Sequence, residues 1–172
     1  MVTTGGLIGW NGGAIVQSFA TGQMYGLNGS FIGGLVGTND GSITQSYATS
    51  AVSDGTRGPG LGGLVGENNG TITQTYSIGA LSAGGRYPVV GGLIGVDQAS
   101  AGSVTTAYWD TNTSGITNAS QGAGSPSNDP GITGLTTAHL QSGLPAGFDP
   151  SIWAEDPTIN NGLPYLLSVS PP

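Results

Sequence analysis

The chain contains no cysteine and no lysine, and its only cationic side chains besides His139 are Arg57 and Arg86. Without lysine, a phosphate-cradling loop of the Walker type is excluded. Charged residues make up 6 % of the sequence, against roughly 25 % in an average soluble domain. The net charge of −7 argues against a nucleic-acid partner, whose phosphates demand clustered Lys and Arg. It argues equally against electrostatic docking onto anionic lipid. No apolar run approaches the roughly 18–20 residues of a membrane-spanning helix, and no signal peptide opens the chain. Met1 stands in the middle of a repeat pattern, which reads as a segment cut from something longer. Absent cysteine fits an exported bacterial protein and a cytosolic one alike. Low charge with abundant Gly, Ser, Thr and Asn favours a bacterial surface or secreted origin.

What is present is a period. Gly5-Gly6-Leu7-Ile8-Gly9, Gly33-Gly34-Leu35-Val36-Gly37, Gly62-Gly63-Leu64-Val65-Gly66 and Gly91-Gly92-Leu93-Ile94-Gly95 follow one another at steps of 28, 29 and 29 residues. A fixed period in this range marks a solenoid, whose repeats bury their apolar faces only by stacking. After each phrase comes an Asn-x-Gly turn (Asn11, Asn39, Asn68), with Asn and Gly supplying left-handed backbone. Ile15, Ile43, Ile72 and Val104 follow, each four residues before an aromatic: Phe19, Tyr47, Tyr76 and Tyr108. Three extra residues between Asp97 and Gly102 shift the fourth copy without erasing it. Met24, Val52 and Leu81 form a further apolar column.

Each repeat therefore holds three β-favouring segments separated by turns, and none has the spacing of an amphipathic helix. The expected fold is all-β: a right-handed parallel β-helix of about four coils of 28–29 residues, with a C-terminal cap. Successive coils rise about 4.8 Å, so four give a stack on the order of 20 Å tall. The column of Leu7, Leu35, Leu64 and Leu93 and the Ile column are expected to form a dry interior. Strict alternation places Ile43, Gln45 and Tyr47 on one face; a bend at Gln45 would instead turn Tyr47 outward with Ser46 and Ala48 inside. Both arrangements fit the sequence. Arg57 and Arg86, each two residues before a proline, are expected to splay into water from a protruding loop.

The character changes after Asp110. Eight of the ten prolines lie between Pro126 and Pro172. Residues 1–110 read as solenoid repeats and 111–172 as a cap folded over the last coil, because a solenoid end exposes strand edges that must be covered. Leu135 to Leu140 reads as one short helix.

The repeated Gly-Gly-Leu-Val-Gly, Asn-x-Gly, Ser-Ile-Thr-Gln-Ser-Tyr-Ala-Thr and Ala-Val-Ser phrases resemble the GLUG motif. That motif occurs in large bacterial surface proteins similar to filamentous haemagglutinin and in the non-catalytic part of some IgA-cleaving metallopeptidases. The tail phrases Tyr108–Gly115, Gly134-Leu135-Thr136-Thr137 and Asn161-Gly162-Leu163-Pro164-Tyr165-Leu166 are similar to the segment that follows such repeats. The resemblance implies an exported β-solenoid, the stalk or passenger of an adhesin. It carries over no catalytic residue, since the peptidase chemistry needs His-Glu-x-x-His and this chain has one histidine.

Individual candidates weigh against bland alternatives. Gly58-Pro59-Gly60-Leu61-Gly62-Gly63 satisfies G-x-G-x-x-G but lacks the strand before and helix after that a dinucleotide site needs. His139, with Ser142 or Asp149 nearby in sequence, is a general-base candidate against a helix-end role. Asp110, Asn112 and Ser114 match the first half of a calcium loop, although the twelfth position is Gln121 rather than Glu; the alternative is an Asx turn. Thr44, Ser46, Thr73, Thr75 and Thr105 would form a hydroxyl array able to bind ice or another repetitive ligand. The aromatic column would stack on sugar rings if outward-facing and belong to the core if inward-facing. A polysaccharide lyase or hydrolase needs clustered acids, and the nine acids are spread along the sequence. The expected role is thus structural or adhesive, without catalysis or cofactor and without nucleic-acid binding or membrane insertion. The rival is a glycan- or ice-binding module. Expected partners are host-surface or matrix glycans and proteins, or neighbouring repeats, including head-to-tail self-association.

Overall fold

A computed structural model describes residues 2–26, 30–55, 58–84 and 89–169. Arg57, Arg86 and Pro88 lie outside them, and with them the expected loop. The chain winds as a parallel β-solenoid of about four turns; each coil adds one rung to each of three parallel sheets, and the first three coils add one each to a fourth. The first face carries Val2–Gly5, Ser30–Gly33, Gly60–Gly62 and Val90–Gly91. The second carries Ile8–Asn11, Val36–Asn39, Val65–Asn68 and Ile94–Asp97. The third carries Ala14–Val16, Ser42–Ala48, Thr71–Ser77 and Val104–Asp110. The fourth carries Gln23–Gly26, Ala51–Asp54 and Leu81–Ala83. The first face is a strand per coil that the three-segment reading missed; its residues, such as Ser30-Phe31-Ile32-Gly33, do not recur as a recognisable phrase.

Register follows the repeat. Val65 pairs with Val36 and Ile94, Ile72 with Ile43 and Val104, and Val52 with Met24 and Leu81. The three extra residues after Asp97 are absorbed before Val104, so the columns survive. Leu35, Leu64, Leu93, Val36, Val65, Ile94, Ile43 and Ile72 are fully buried inside the coil. Leu7 departs from expectation: at the foot of its column, with no rung beneath it among the described residues, it is 49 % exposed.

The glycines serve approach rather than unusual torsion. A Cβ on Gly62 would overlap the Val65 carbonyl oxygen, and one on Gly63 would overlap the Gly92 carbonyl oxygen one coil above. Around the Asn-x-Gly segments, none of Asn11, Asn39 and Asn68 is left-handed, contrary to expectation. The left-handed column is instead Gln17, Gln45, Gln74 and Thr106, with φ of 47°, 51°, 51° and 54°. This bend in the middle of the third face settles its parity. Ile43 points in before it, and Ala48 joins the interior after it while Tyr47 turns outward into a separate apolar cluster.

Strand pairing does not stop at Asp110. Ala123–Ser125 adds a fifth rung to the second face and Ile132–Leu135 a fifth to the third. Trp109 takes the interior position that Ala48 and Ser77 hold in the coils below, and it is fully buried there. Its indole reaches Gly92, Gly122 and Gly134, which have no side chains to oppose it. The predicted helix is Thr137–Leu140, opened by Thr136, whose hydroxyl accepts from the His139 amide at 3.2 Å.

The fifth rungs lie over the last coil, and the rest of the tail takes a different path. It runs back along the flank. Tyr108 donates its hydroxyl to Ala146 O (2.7 Å), Gln74 accepts from the Asp149 amide (3.0 Å), and Ser168 donates to Gln17 in the first coil (2.5 Å). The tail's own short ladder, Trp153–Ala154 against Tyr165–Leu166, is antiparallel.

Candidate functional site

The third face and the tail against it hold nearly every candidate side chain. The bend at Gln45 and Gln74 divides the hydroxyl set. Thr44, Thr73 and Thr105 precede the bend and stay on the outer side, with Thr73 Oγ1 and Thr105 Oγ1 3.1 Å apart. Ser46 and Thr75 follow it and are fully buried. The expected five-residue array is therefore corrected to a single file of three threonines, because one left-handed residue per coil reverses which alternate residues face out.

The aromatic column corresponds to neither of its two expected roles. Phe19 stacks on Tyr47 at 5.0 Å and Tyr47 on Tyr76 at 4.9 Å, with planes 12° and 3° from parallel. These rings point away from the solenoid interior, yet Tyr47 and Tyr76 are fully buried, because Trp153, Phe148, Leu140, Leu163 and Leu166 of the tail cover them. Trp153 lies 6.0 Å from Tyr47 and 5.9 Å from Tyr76. Tyr76 donates to Pro164 O (2.6 Å) and accepts from Asn160 Nδ2 (3.0 Å). Burial pushes the Tyr47 hydroxyl up to about 12 and holds that of Tyr76 well above its ordinary value. No ring of the Tyr47–Tyr76 pair is open to a sugar.

The Asp110 loop is an Asx turn locked to the tail. Asp110 Oδ1 accepts from the Asn112 and Thr113 amides (2.8 and 3.2 Å), and Oδ2 from Thr137 Oγ1 (2.6 Å). Asn112 Oδ1 accepts from the Thr137 amide (3.0 Å), and Ser114 Oγ from that of Ile116 (3.2 Å). The three candidate calcium ligands thus each accept from backbone amides, and Thr137 ties Asp110 and Asn112 together. His139 meets Thr136 Oγ1 at 3.3 Å, and Asp149 accepts from Ser151, so no His–Asp relay is assembled. Gly60–Gly62 is a strand of the first face, followed by another strand rather than a helix.

A second polar feature was not anticipated. The asparagine of each repeat points inward and bonds the next: Asn11 donates to Asn39 Oδ1 at 2.7 Å, Asn39 to Asn68 Oδ1 at 2.8 Å, and Asn68 to Asp97 Oδ1 at 3.0 Å. Such a ladder satisfies polar groups that burial would otherwise penalise. Asp97 in turn faces Asp129, and the two line a cavity of about 230 Å³ edged by Pro126 and Pro130. The recurrence of Asn11, Asn39, Asn68 and Asp97 at one repeat position was the available signal; the sequence distance to Asp129 concealed the last member. The two carboxyls lie near enough for Asp129 to raise the Asp97 value.

Burial raises the Asp97 carboxyl above its ordinary range, the adjacent Asp129 adds to this, and the Asn68 and Ala99 donors oppose it. The folded chain therefore holds this proton to higher pH than the unfolded chain does. Its stabilising contribution is full below the ordinary carboxylate value and is lost as pH rises through the raised folded value. Asp97→Asn is expected to stabilise the protein at neutral pH by about 1 kcal/mol, the scale of one buried hydrogen bond. It should also flatten the fall in stability between acid and neutral pH. Thermal melts of variant and wild type across that range check this, since contributions from carboxylates remote from the Asp97–Asp129 pair cancel in the difference.

Comparison with protein-family models, with curated proteins and with solved structures yields no match.

Proposed function

We propose that this chain is a structural and adhesive β-solenoid segment of a secreted or surface-exposed bacterial protein, and that it performs no catalysis. The observation that carries this reading is the brace along the flank. The tail bonds the coils at Gln17, Gln74, Tyr76 and Tyr108, so the stack behaves as one stiff unit instead of a row of separable repeats. The stacked rings of Tyr47 and Tyr76 are spent inside that brace. The GLUG-like phrases support an adhesin-type parent, whose partners would be host-surface or matrix glycans and proteins. Two measurements test the proposal together. Pulling a single molecule between its ends should show one cooperative unfolding event, and beads coated with the protein should be retained on matrix glycoprotein. Stepwise release of coils at low force, or beads that never adhere, would count against it.

A second reading rests on the file of Thr44, Thr73 and Thr105, which stand on the outer side of successive rungs spaced about 4.8 Å apart. It makes the segment an ice-binding module. Thermal hysteresis in the wild type that disappears in Thr73→Leu would favour it; an undepressed freezing point would remove it.

A further inference from the structure

Four tripeptides in the chain have the form Asn-x-Ser/Thr with x not proline: Asn28-Gly29-Ser30, Asn69-Gly70-Thr71, Asn112-Thr113-Ser114 and Asn118-Ala119-Ser120. This is the acceptor pattern for N-linked glycosylation. In a chain rich in Asn, Ser and Thr the pattern arises readily, so the folded geometry decides which copies can react. Asn28 lies outside the described residues.

A reactive copy must stand in water, keep its Nδ2 free to attack, and hold its carboxamide against the hydroxyl two residues on. Asn69 fails the second condition. Its Nδ2 donates to Asp40 Oδ1 at 2.7 Å, and Thr71 already opens the strand Thr71–Ser77 with its amide on Gly41 O at 2.9 Å. Asn112 fails the third. Its Oδ1 accepts from the Thr137 amide, while Ser114 is buried and its hydroxyl oxygen accepts from the Ile116 amide.

Asn118 meets all three conditions. It is exposed on a turn closed by the Gln121 amide, which donates to Asn118 O at 2.9 Å. Its Oδ1 accepts from both the Ser120 amide (3.1 Å) and the Ser120 hydroxyl (2.9 Å), an Asx turn held twice. The Asn128 amide donates to Ser120 O at 2.7 Å and pins the turn from the other side. Among the described residues, Nδ2 of Asn118 donates to nothing. Two donors on Oδ1 draw amide electron density toward the oxygen, which makes a hydrogen of Nδ2 easier to remove.

We infer that Asn118 is an acceptor for N-linked glycosylation, and that its partner is a transferase carrying a sugar activated on a diphosphate. In the transfer Nδ2 attacks the anomeric carbon, and the bond from that carbon to the diphosphate oxygen breaks. The electron pair of that bond leaves with the diphosphate, and one Nδ2 proton passes to a base of the transferase. The inference is independent of the adhesive reading.

The test incubates the folded chain with a purified soluble asparagine glycosyltransferase and uridine diphosphate glucose. A short acceptor peptide in the same tube reports that the enzyme is active. Peptide mapping by mass spectrometry should find one hexose on Asn118, with Asn69 and Asn112 nearly bare. Ser120→Ala, which removes the hydroxyl and keeps the backbone bonds of the turn, should lose the addition, and Ser120→Thr should keep it. Thr71→Val, which removes the pattern at Asn69 alone, should leave Asn118 modified as before. Circular dichroism checks that each variant retains the fold. Asn118 left bare while the control peptide is modified overturns the inference. Occupancy of Asn69 or Asn112 equal to that of Asn118 overturns it too, as does hexose retained on Asn118 in Ser120→Ala.

Discussion

Replacing Gly63 by alanine is expected to destabilise the fold by at least about 3 kcal/mol, the upper range of overpacking in a close-packed interior. In a chain of this size that lowers the melting temperature by roughly 10 °C. The reason lies in the contact, not the torsion. A Cβ there would overlap the Gly92 carbonyl oxygen of the next coil and stand 3.0 Å from Ser77 Cβ. Neither the paired backbone nor a buried serine moves aside cheaply. Gly13 supplies the contrast: nothing lies within 4 Å of a Cβ built on it, and its φ is not left-handed. Gly13→Ala should therefore be neutral or slightly stabilising, through the reduced freedom of the unfolded chain. Chemical denaturation of both variants checks the pair. Equal losses would mean that glycine serves flexibility here rather than coil-to-coil approach.

Trp153→Ala is expected to cost about 3–5 kcal/mol, the range for removing a large aromatic from a core. Trp153 is the keystone between two layers, packed on Tyr47 and Tyr76 below and stacked on Phe148 at 4.7 Å within the tail. The loss should also have a particular form. The tail should loosen first, making the Tyr47 and Tyr76 hydroxyls ionise nearer their ordinary value, while the stack of coils persists. Ultraviolet titration of the tyrosines, read beside far-ultraviolet circular dichroism, separates this from general unfolding. A variant whose tyrosines still resist ionisation would show that the tail does not shield the column.

The stack was legible because its physics repeats. Leu35, Leu64 and Leu93 occupy one position in three successive coils, so the core is written three times over. What escaped was written once. The fifth rung carries Gly122 and Ala123 where the other coils carry Leu and Ile or Val, because Trp109 already fills that space; the signature vanishes where the interior is closed by a different residue. The Asn11–Asn39–Asn68 ladder was visible as a recurring turn residue. That it points inward followed only from the path of the backbone. The fate of the aromatic column depended on the left-handed Gln45, a residue with no marked preference for that conformation, and then on Trp153 and Phe148, more than seventy positions away along the chain. The candidate array of Thr44, Ser46, Thr73, Thr75 and Thr105 was divided by the same bend. Local alternation is readable from sequence; a single torsion that inverts it is not.

The absence of cysteine makes one test of the central claim especially clean. Thr44 pairs with Thr73 and Thr73 with Thr105 in successive rungs, about 4.8 Å apart, while Thr44 and Thr105 are two rungs, or about 10 Å, apart. A disulfide requires Cα atoms within about 7 Å. Under mild oxidation the double variants Thr44→Cys with Thr73→Cys, and Thr73→Cys with Thr105→Cys, should each close an internal disulfide, and Thr44→Cys with Thr105→Cys should not. Bridging of Thr44 to Thr105 within one chain, or failure of both adjacent pairs, would contradict the rung-on-rung stack.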